Sequence, residues 1–192
     1  MSVMIVGDRA PGFARVDGRQ GERVVYEPGD GQPTWLAFFR YASCPLCNLR
    51  IQDLSARYES LAERGLRVLT VFQSTPEQMQ GYVAKQRPPF PLLSDPDESL
   101  YATYGVTASL AKYLHPLAGA GLARATARGF MMGRMDGTKT RVPADFLIDG
   151  AGVVRERFDG GHIGEHIPFE RVEAFLDAQR TVPDEQPTGG AR

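Results

Sequence analysis

Cysteine is scarce in this sequence, with two residues, Cys44 and Cys47, among 192. Small secreted domains that compensate for a small core with disulfides need several pairs, so this class is excluded. Long hydrophobic runs are also missing, because no stretch approaches the roughly 18 to 20 apolar residues of a membrane span. Excess charge is missing too, since 22 basic residues stand against 23 acidic ones, for a net charge of −1. Neither nucleic acid nor a membrane is therefore expected as a partner.

The remaining composition is that of an ordinary globular protein. Hydrophobic residues make up 42% and charged residues 23% of the chain, and the length suits one domain. We expect this domain to span residues 1–180, followed by a flexible tail over 181–192. The first residues carry a short apolar run without a basic flank, which does not predict a secretory signal peptide. The expected location is a reducing cytoplasm, where a Cys-x-x-Cys pair is more often catalytic or metal-binding than structural.

The two cysteines are expected at a turn between a strand and a helix. Residues 34–39 form a continuous apolar run, typical of a central strand that is buried on both faces. After Pro45, leucines and a tyrosine recur at spacings of mostly three and four residues, which predicts an amphipathic helix ending near Gly65. A second buried strand is predicted over 66–72. Together these elements predict a βαβ unit with parallel strands.

Farther along the chain, an Asp-Gly turn at 149–152 predicts a β-hairpin, and apolar periodicity predicts a last helix over 168–179. Between these regions, the segment 107–141 interrupts the pattern. It carries six basic residues and one acidic residue, a net charge of +5, together with three methionines. We expect an insertion beside the cysteine turn. It is either a surface excursion with solvated arginines or a lid or docking surface for an anionic substrate or partner.

Thiol chemistry is available at the predicted turn. A thiol attacks as the thiolate, and its pKa falls at a helix N-terminus, where unpaired N–H groups favour negative charge. Cys44 is expected at that position. Cys47, one turn later on nearly the same helical face, can attack a mixed disulfide formed at Cys44. The pair therefore predicts a two-electron redox site that needs no cofactor.

Two other interpretations of the pair are weaker. A structural zinc site needs a second pair of ligands, and His115, His162 and His166 lie far downstream without zinc-finger spacing, so no metal is predicted. Inert buried cysteines have no reason to fall at a strand-to-helix turn. We expect Trp35 in the core, and His162 and His166 in hydrogen bonds of a loop.

The residues around the two cysteines carry a family resemblance. Residues 38–47, Phe-Phe-Arg-Tyr-Ala-Ser-Cys-Pro-Leu-Cys, are similar to the active turn of the thioredoxin superfamily. Residues 7–13 resemble the opening of alkyl hydroperoxide reductase and thiol-specific antioxidant proteins, and 142–150 resemble the superfamily strand that begins after a cis-proline. The resemblance covers about residues 7–179 and implies a peroxiredoxin-like protein, of the selenoprotein-L-like branch in which a Cys-x-x-Cys pair replaces the peroxidase motif.

The chain also departs from the peroxiredoxin pattern, Pro-x-x-x-Thr/Ser-x-x-Cys. With Cys47 at the peroxidatic position, Arg40 falls where the proline belongs and Cys44 where the hydroxyl residue belongs. Pro143 replaces the arginine that those enzymes use near the thiolate, and Arg141 is a candidate substitute for it. The broken signature favours dithiol–disulfide exchange over peroxide reduction.

The resemblance further implies that a cis bond precedes Pro143 and turns backbone groups toward the thiols, where they pair with a peptide or thiol substrate. Val142, Ser43, Arg40 and Arg141 complete the predicted substrate groove. Arg40 either lowers a thiol pKa or is solvated at the surface.

We therefore predict an α/β protein with a thioredoxin-like fold, in which helices flank both faces of a mixed central β-sheet and the basic insertion precedes the Pro143 strand. The predicted function is thiol-disulfide oxidoreduction, with Cys44 as the attacking thiolate and Cys47 as the resolving thiol. One alternative is a hydroperoxide reductase with Cys47 peroxidatic and Cys44 resolving. The other is a non-catalytic binding protein with this fold.

The predicted electron donor is a thiol/disulfide protein or a low-molecular-weight thiol, a hydroperoxide is a possible oxidant, and the chain is a candidate homodimer.

Overall fold

The computed structural model of the protein describes residues 3–180. The tail predicted over 181–192 lies outside the described residues. None of the helices in the described part of the chain is long and apolar enough to cross a membrane.

The described chain folds around one seven-stranded mixed sheet. In chain order the strands are β1 Phe13–Asp17, β2 Arg23–Tyr26, β3 Thr34–Phe38, β4 Arg67–Phe72, β5 Leu92–Ser94, β6 Ala144–Ile148 and β7 Val154–Asp159. Their spatial order is β2-β1-β5-β4-β3-β6-β7. β4 runs parallel to both β3 and β5, whereas β6 is antiparallel to β3 and β7. The predicted βαβ unit, hairpin and mixed sheet are thus confirmed.

The helices cover both faces of this sheet, as predicted. They are α1 Pro45–Ser55, α2 Tyr58–Glu63, α3 Pro76–Gly81, α4 Ser99–Thr103, α5 Leu110–Tyr113, α6 Pro116–Ala127 and α7 Phe169–Arg180, with a 3₁₀ turn at Val83–Gln86. Side chains of β3 alternate between two cores because successive residues of a strand point to opposite faces. Trp35 and Ala37 pack with α1 and α7, and Leu36 and Phe38 pack with α4.

The helix predicted to run from Pro45 to Gly65 is interrupted between Ser55 and Tyr58. Arg57 stays in the right-handed region there, with φ −109° and ψ −7°, but its amide donates to the Leu54 carbonyl three residues back. The tighter bond redirects α2, which still buries Leu61 in the same core as α1.

The segment 107–141 leaves and rejoins the fold at one place. Ala108 and Arg141 pair as an isolated antiparallel bridge, and the Val142 amide donates to the Thr107 carbonyl at 3.2 Å. Between these ends, α5 and α6 form and α6 packs on α1. The packing is close: a Cβ on Gly121 would lie 2.9 Å from Cδ2 of Leu46. The insertion therefore sits directly on the turn that carries the cysteines.

The prediction of a cis bond before Pro143 is wrong, because no peptide bond among residues 3–180 is cis. The trans form is the intrinsic preference of an X–Pro bond. It also lets this segment continue β6 as extended backbone, since the Pro143 carbonyl accepts a hydrogen bond from the Gly160 amide at 3.0 Å.

A buried carboxylate links the sheet to the loop before α7. Asp145 accepts hydrogen bonds from Trp35 Nε1 at 2.9 Å and from the Ile167 amide at 2.9 Å, and its Oδ2 lies 3.1 Å from His166 Nδ1. Burial opposes its ionisation, but the charge and hydrogen bond of His166, the charge of Arg50 and the Ile167 amide lower the pKa of Asp145. Trp35 is in the core, and His166 makes hydrogen bonds as predicted, although its side chain is buried.

We expect Asp145→Asn to lower the free energy of unfolding by about 3 kcal/mol, because it removes the charged partner of a buried pair. The fluorescence of Trp35, the single tryptophan, reports this directly in urea titrations. Asp177→Asn is the matched control, since Asp177 pairs with Arg64 at an exposed site and its loss is expected to cost less than about 1 kcal/mol. Equal effects of the two substitutions would contradict the prediction.

Candidate active site

The cysteine turn is held in place by polar side chains from outside it. β3 ends at Phe38 and Cys44 is the N-cap residue of α1, with extended backbone at φ −67° and ψ 119°. The Ser74 hydroxyl accepts a hydrogen bond from the Ala42 amide at 2.7 Å. Asn48 Nδ2 donates to the carbonyls of Ala42 and Cys44 at 2.7 and 2.9 Å. Because Pro45 lacks an amide hydrogen, the first helical turn begins without an unpaired donor at that residue.

Both thiols are free and buried, with residue exposures of 1% for Cys44 and 2% for Cys47. They differ in what they face. Cys44 lines a cavity of about 350 Å³, and Cys47 is not among the residues lining it. Most of the wall comes from the insertion, namely Tyr113, Leu114, His115, Pro116, Ala118, Gly119, Leu122 and Met132. A small molecule that enters the cavity therefore meets Cys44.

Arg40 is the cation of this site. It is 2% exposed, and its Nη1 donates to Cys44 Sγ at 3.5 Å. Its Nη2 donates to the Lys139 carbonyl, which ties the end of the insertion to the thiol turn. The guanidinium also lies 4.9 Å from the ring centre of Tyr41 and 5.6 Å from that of Tyr113. The solvated surface position left open by the sequence is therefore wrong.

The two thiols are electrostatically unequal. Burial opposes ionisation of Cys44, but a hydrogen bond from Cys47, the charge of Arg40 and the backbone amides of Cys47 and Leu46 together lower the pKa of Cys44 from 9.0 to about 6. Burial, the hydrogen bond to Cys44 and the Cys44 charge raise the pKa of Cys47 well above 9.0. At neutral pH, Cys44 is the thiolate and Cys47 is the protonated donor.

This ionisation makes the stability of the reduced protein depend on pH. The folded pKa of Cys44 is about 6 and the ordinary value is 9.0, so the folded state releases this proton first as pH rises. Stability from this group is therefore complete above about pH 9 and is lost as pH falls through about 6. We expect the difference in unfolding free energy between the wild type and Cys44→Ser to rise over this range, measured by urea titration under a reductant. A difference that stays flat with pH would contradict the lowered pKa.

The other predicted groove residues do not line the cavity. The Ser43 hydroxyl donates to the Arg134 carbonyl at 2.6 Å and so fastens the insertion. Val142 and Pro143 are buried beside β6. Arg141 is paired with Glu98 and donates to the Val106 carbonyl at 2.6 Å, so the structure does not bring it to the thiols. Arg40 holds the position that the sequence offered to Arg141.

Sequence reasoning missed the cavity wall and two tyrosines. Tyr41, next to the arginine, and Tyr113, in the insertion, both line the cavity. The available signal was the clustering of apolar and basic residues in 107–141 beside the predicted cysteine turn. His115 and His162 stack with ring centres 5.7 Å apart and join the start of α6 to the loop before α7.

Comparison with known sequences assigns most of the chain to one family. The sequence model of the AhpC/TSA family matches residues 6–157. Peroxiredoxin Bcp of Escherichia coli is 26% identical over 166 residues, which cover 86% of this chain and 92% of that protein.

Solved structures show the same fold. Peroxidoxin BcpB from Mycobacterium tuberculosis superposes with a TM-score of 0.67 at 18% identity, covering 93% of this chain and 99% of that one. AhpC from Enterococcus faecalis gives 0.68 at 15% identity, covering 98% and 100%.

The family match extends over the βαβ unit, the cysteine turn and most of the hairpin, and together with the peroxiredoxin relatives it supports an enzyme rather than the non-catalytic alternative. The protein belongs to the AhpC/TSA family and is a thiol-dependent oxidoreductase with a thioredoxin-like fold.

Proposed function

We propose that the protein reduces small hydroperoxides, with Cys44 as the attacking thiolate and Cys47 as the resolving thiol. The observation that carries this proposal is the position of Cys44 Sγ. Cys44 lines the cavity and its Sγ accepts a hydrogen bond from Arg40 at 3.5 Å, whereas Cys47 is not among the residues that line the cavity.

The chemistry proceeds in two steps inside the protein. The Cys44 thiolate attacks the outer oxygen of ROOH, the O–O bond breaks, and the sulfur becomes a sulfenic acid while ROH leaves after gaining a proton. Cys47 then attacks the sulfenic sulfur, which forms the Cys44–Cys47 disulfide and releases water. An external dithiol protein or low-molecular-weight thiol reduces the disulfide by exchange and is itself oxidised.

The size and lining of the cavity support a small substrate with an apolar substituent. Cys44 is 1% exposed, so its sulfur cannot contact a folded protein disulfide unless the insertion moves. Leu114, Leu122 and Met132 supply apolar surface around the entrance, and Arg40 supplies the charge at the base. Relatives named peroxiredoxins, such as that of Escherichia coli, further support a hydroperoxide as the oxidant.

This assignment reverses the roles that the peroxiredoxin motif suggests. Aligned on that motif, Cys47 takes the peroxidatic position, yet its pKa is raised and it does not line the cavity. Arg40, which stands at the motif proline, instead places its guanidinium on Cys44. The position of the Arg40 guanidinium therefore favours Cys44 over Cys47 as the nucleophile.

A second candidate is exchange with a low-molecular-weight disulfide, favoured by the hydrogen-bonded Cys-x-x-Cys pair at the start of α1. The roles of the thiols are the same. Cys44 forms a mixed disulfide with one half of the substrate, and Cys47 attacks it to release that half as a thiol.

The test is oxidation of the reduced wild type with one equivalent of tert-butyl hydroperoxide or of hydroxyethyl disulfide, followed by peptide mass mapping. For hydroperoxide reduction we expect a Cys44–Cys47 linkage formed at least about tenfold faster with the hydroperoxide than with the disulfide. Faster oxidation by the disulfide would favour the second candidate, and no linkage with either reagent would exclude both.

The remaining assignments are proposals of the same kind. We place the protein in the cytoplasm and expect a homodimer, which sedimentation of the reduced full chain can test.

A further inference from the structure

The proposed reaction needs a group that the altered motif does not supply. When the thiolate attacks ROOH, the departing oxygen leaves as a strongly basic alkoxide that requires a hydrogen bond and a proton. The motif position reserved for a hydroxyl residue is occupied here by Cys44. Another hydroxyl that lines the cavity can serve the leaving oxygen in its place.

Building on the proposed function, we propose that the Tyr41 hydroxyl donates the hydrogen bond and the proton to the leaving oxygen of the hydroperoxide. Tyr41 lines the same cavity as Cys44, although the residue is only 1% exposed. The Arg40 guanidinium lies 4.9 Å from the Tyr41 ring centre and also donates to Cys44 Sγ. The phenol, the cation and the nucleophile thus form one cluster at the base of the cavity.

The hydroxyl of Tyr41 differs from those of other buried tyrosines. Other buried tyrosines use their hydroxyls structurally: the Tyr101 hydroxyl shares its one proton between the carbonyls of Phe39 and Val71, each 3.0 Å away, and Tyr104 donates to the Pro11 carbonyl at 2.9 Å. Within residues 3–180, no such hydrogen bond holds the hydroxyl of Tyr41. A cavity-lining phenol with no hydrogen-bond partner among these residues is suited to a ligand atom.

The surrounding charges keep this hydroxyl protonated until it is needed. Burial and the negative charge of Cys44 raise the pKa of Tyr41, so the phenol stays neutral while Cys44 is a thiolate. Arg40 acts in the opposite direction and stabilises the phenolate left after proton transfer. Tyr113 also lines the cavity, but it is more exposed and its ring centre lies farther from the guanidinium, at 5.6 Å.

The atoms, protons and electrons of this step balance. Cys44 gains the outer oxygen as a sulfenic acid, the O–O bond breaks, and the inner oxygen takes the Tyr41 proton and leaves as ROH. The sulfur is oxidised by two electrons and the peroxide is reduced by two. The phenolate recovers its proton from water.

The experiment compares three oxidants or alkylating agents on Tyr41→Phe, with Tyr58→Phe as a matched control because Tyr58 packs against Phe90, away from the cavity. With tert-butyl hydroperoxide, the second-order rate of Cys44 oxidation is expected to fall about 100-fold in Tyr41→Phe. With peracetic acid, whose leaving acetate is a far weaker base, the fall is expected to be less than about fivefold. Alkylation of Cys44 by iodoacetamide needs no proton donor, and its rate is expected to stay within about twofold.

The rates of Cys44 with the three reagents distinguish failure of the Tyr41 inference from failure of the proposed function. Equal losses with all three reagents would show a structural role and overturn the inference, as would a hydroperoxide rate that does not change. A selective loss in Tyr113→Phe instead of Tyr41→Phe would also overturn it. If wild-type Cys44 reacts with iodoacetamide but with neither peroxide, the proposed function itself fails.

Discussion

The serine variants of the two cysteines are expected to differ by at least about a thousandfold in their reaction with hydroperoxide. Cys44→Ser removes the thiolate, and the remaining thiol at Cys47 has a raised pKa and does not line the cavity. Cys47→Ser retains the nucleophile and is expected to stop at the Cys44 sulfenic acid after one turnover, because no thiol resolves it. Stopped-flow measurement of peroxide consumption, with dimedone trapping and mass spectrometry, distinguishes the two products.

Each serine variant serves as the matched control for the other, since both substitutions replace a buried thiol in the same helical turn. Thermal unfolding under a reductant checks that both proteins fold. If Cys44→Ser formed the sulfenic acid and Cys47→Ser were inert, the roles would follow the peroxiredoxin motif and the assignment of Cys44 would be wrong.

Arg40→Met is expected to raise the pKa of Cys44 by about one to three units, the usual effect of losing an opposite charge at this distance. The thiolate is the reactive form, so the alkylation rate falls as pH drops through the pKa. In the wild type this midpoint is expected near pH 6, and in Arg40→Met it moves toward 9.0. At about pH 7 the alkylation rate is then expected to fall about tenfold. Iodoacetamide kinetics from about pH 5 to 10 measure the midpoint directly.

Arg141→Met is the control for this prediction, because Arg141 is paired with Glu98 away from the thiols. Its midpoint is expected to match that of the wild type. A raised midpoint of Cys44 alkylation in Arg141→Met, without one in Arg40→Met, would show that Arg141 rather than Arg40 lowers the pKa of Cys44. Arg40→Lys, which keeps the charge without the planar fork, is expected to lie between wild type and Arg40→Met.

Local patterns were sufficient to predict the elements that carry the thiols. The apolar run at 34–39, the proline after Cys44 and the spacing of the following leucines depend on neighbours in sequence, and the strand and helix formed, although the helix is interrupted between Ser55 and Tyr58. The environment of Arg40 could not be predicted in this way. Its burial depends on the Lys139 carbonyl, 99 residues later, and on the way the insertion folds back over the turn.

The error at Pro143 has a different origin. The cis bond was implied by resemblance to the superfamily, and the residues of this chain carried no independent signal for it. In the structure, hydrogen bonds to Thr107 and Gly160 fix the extended path through 142–143, and neither partner is adjacent in sequence. Asp145 lies in an apolar strand, and its role could not be predicted because it depends on a contact with His166, which is 21 residues later in the chain.

Two different parts of the chain determine the reactivity of Cys44 and the selectivity of its cavity. The acidity of Cys44 comes from Arg40, Cys47 and the first amides of α1, all within eight residues of sequence. The wall of the cavity comes largely from 113–132, a continuous stretch outside the sheet. Substitutions in that stretch can therefore change which molecules reach the sulfur while its ionisation stays constant, so related chains are free to diverge in substrate without rebuilding the nucleophile.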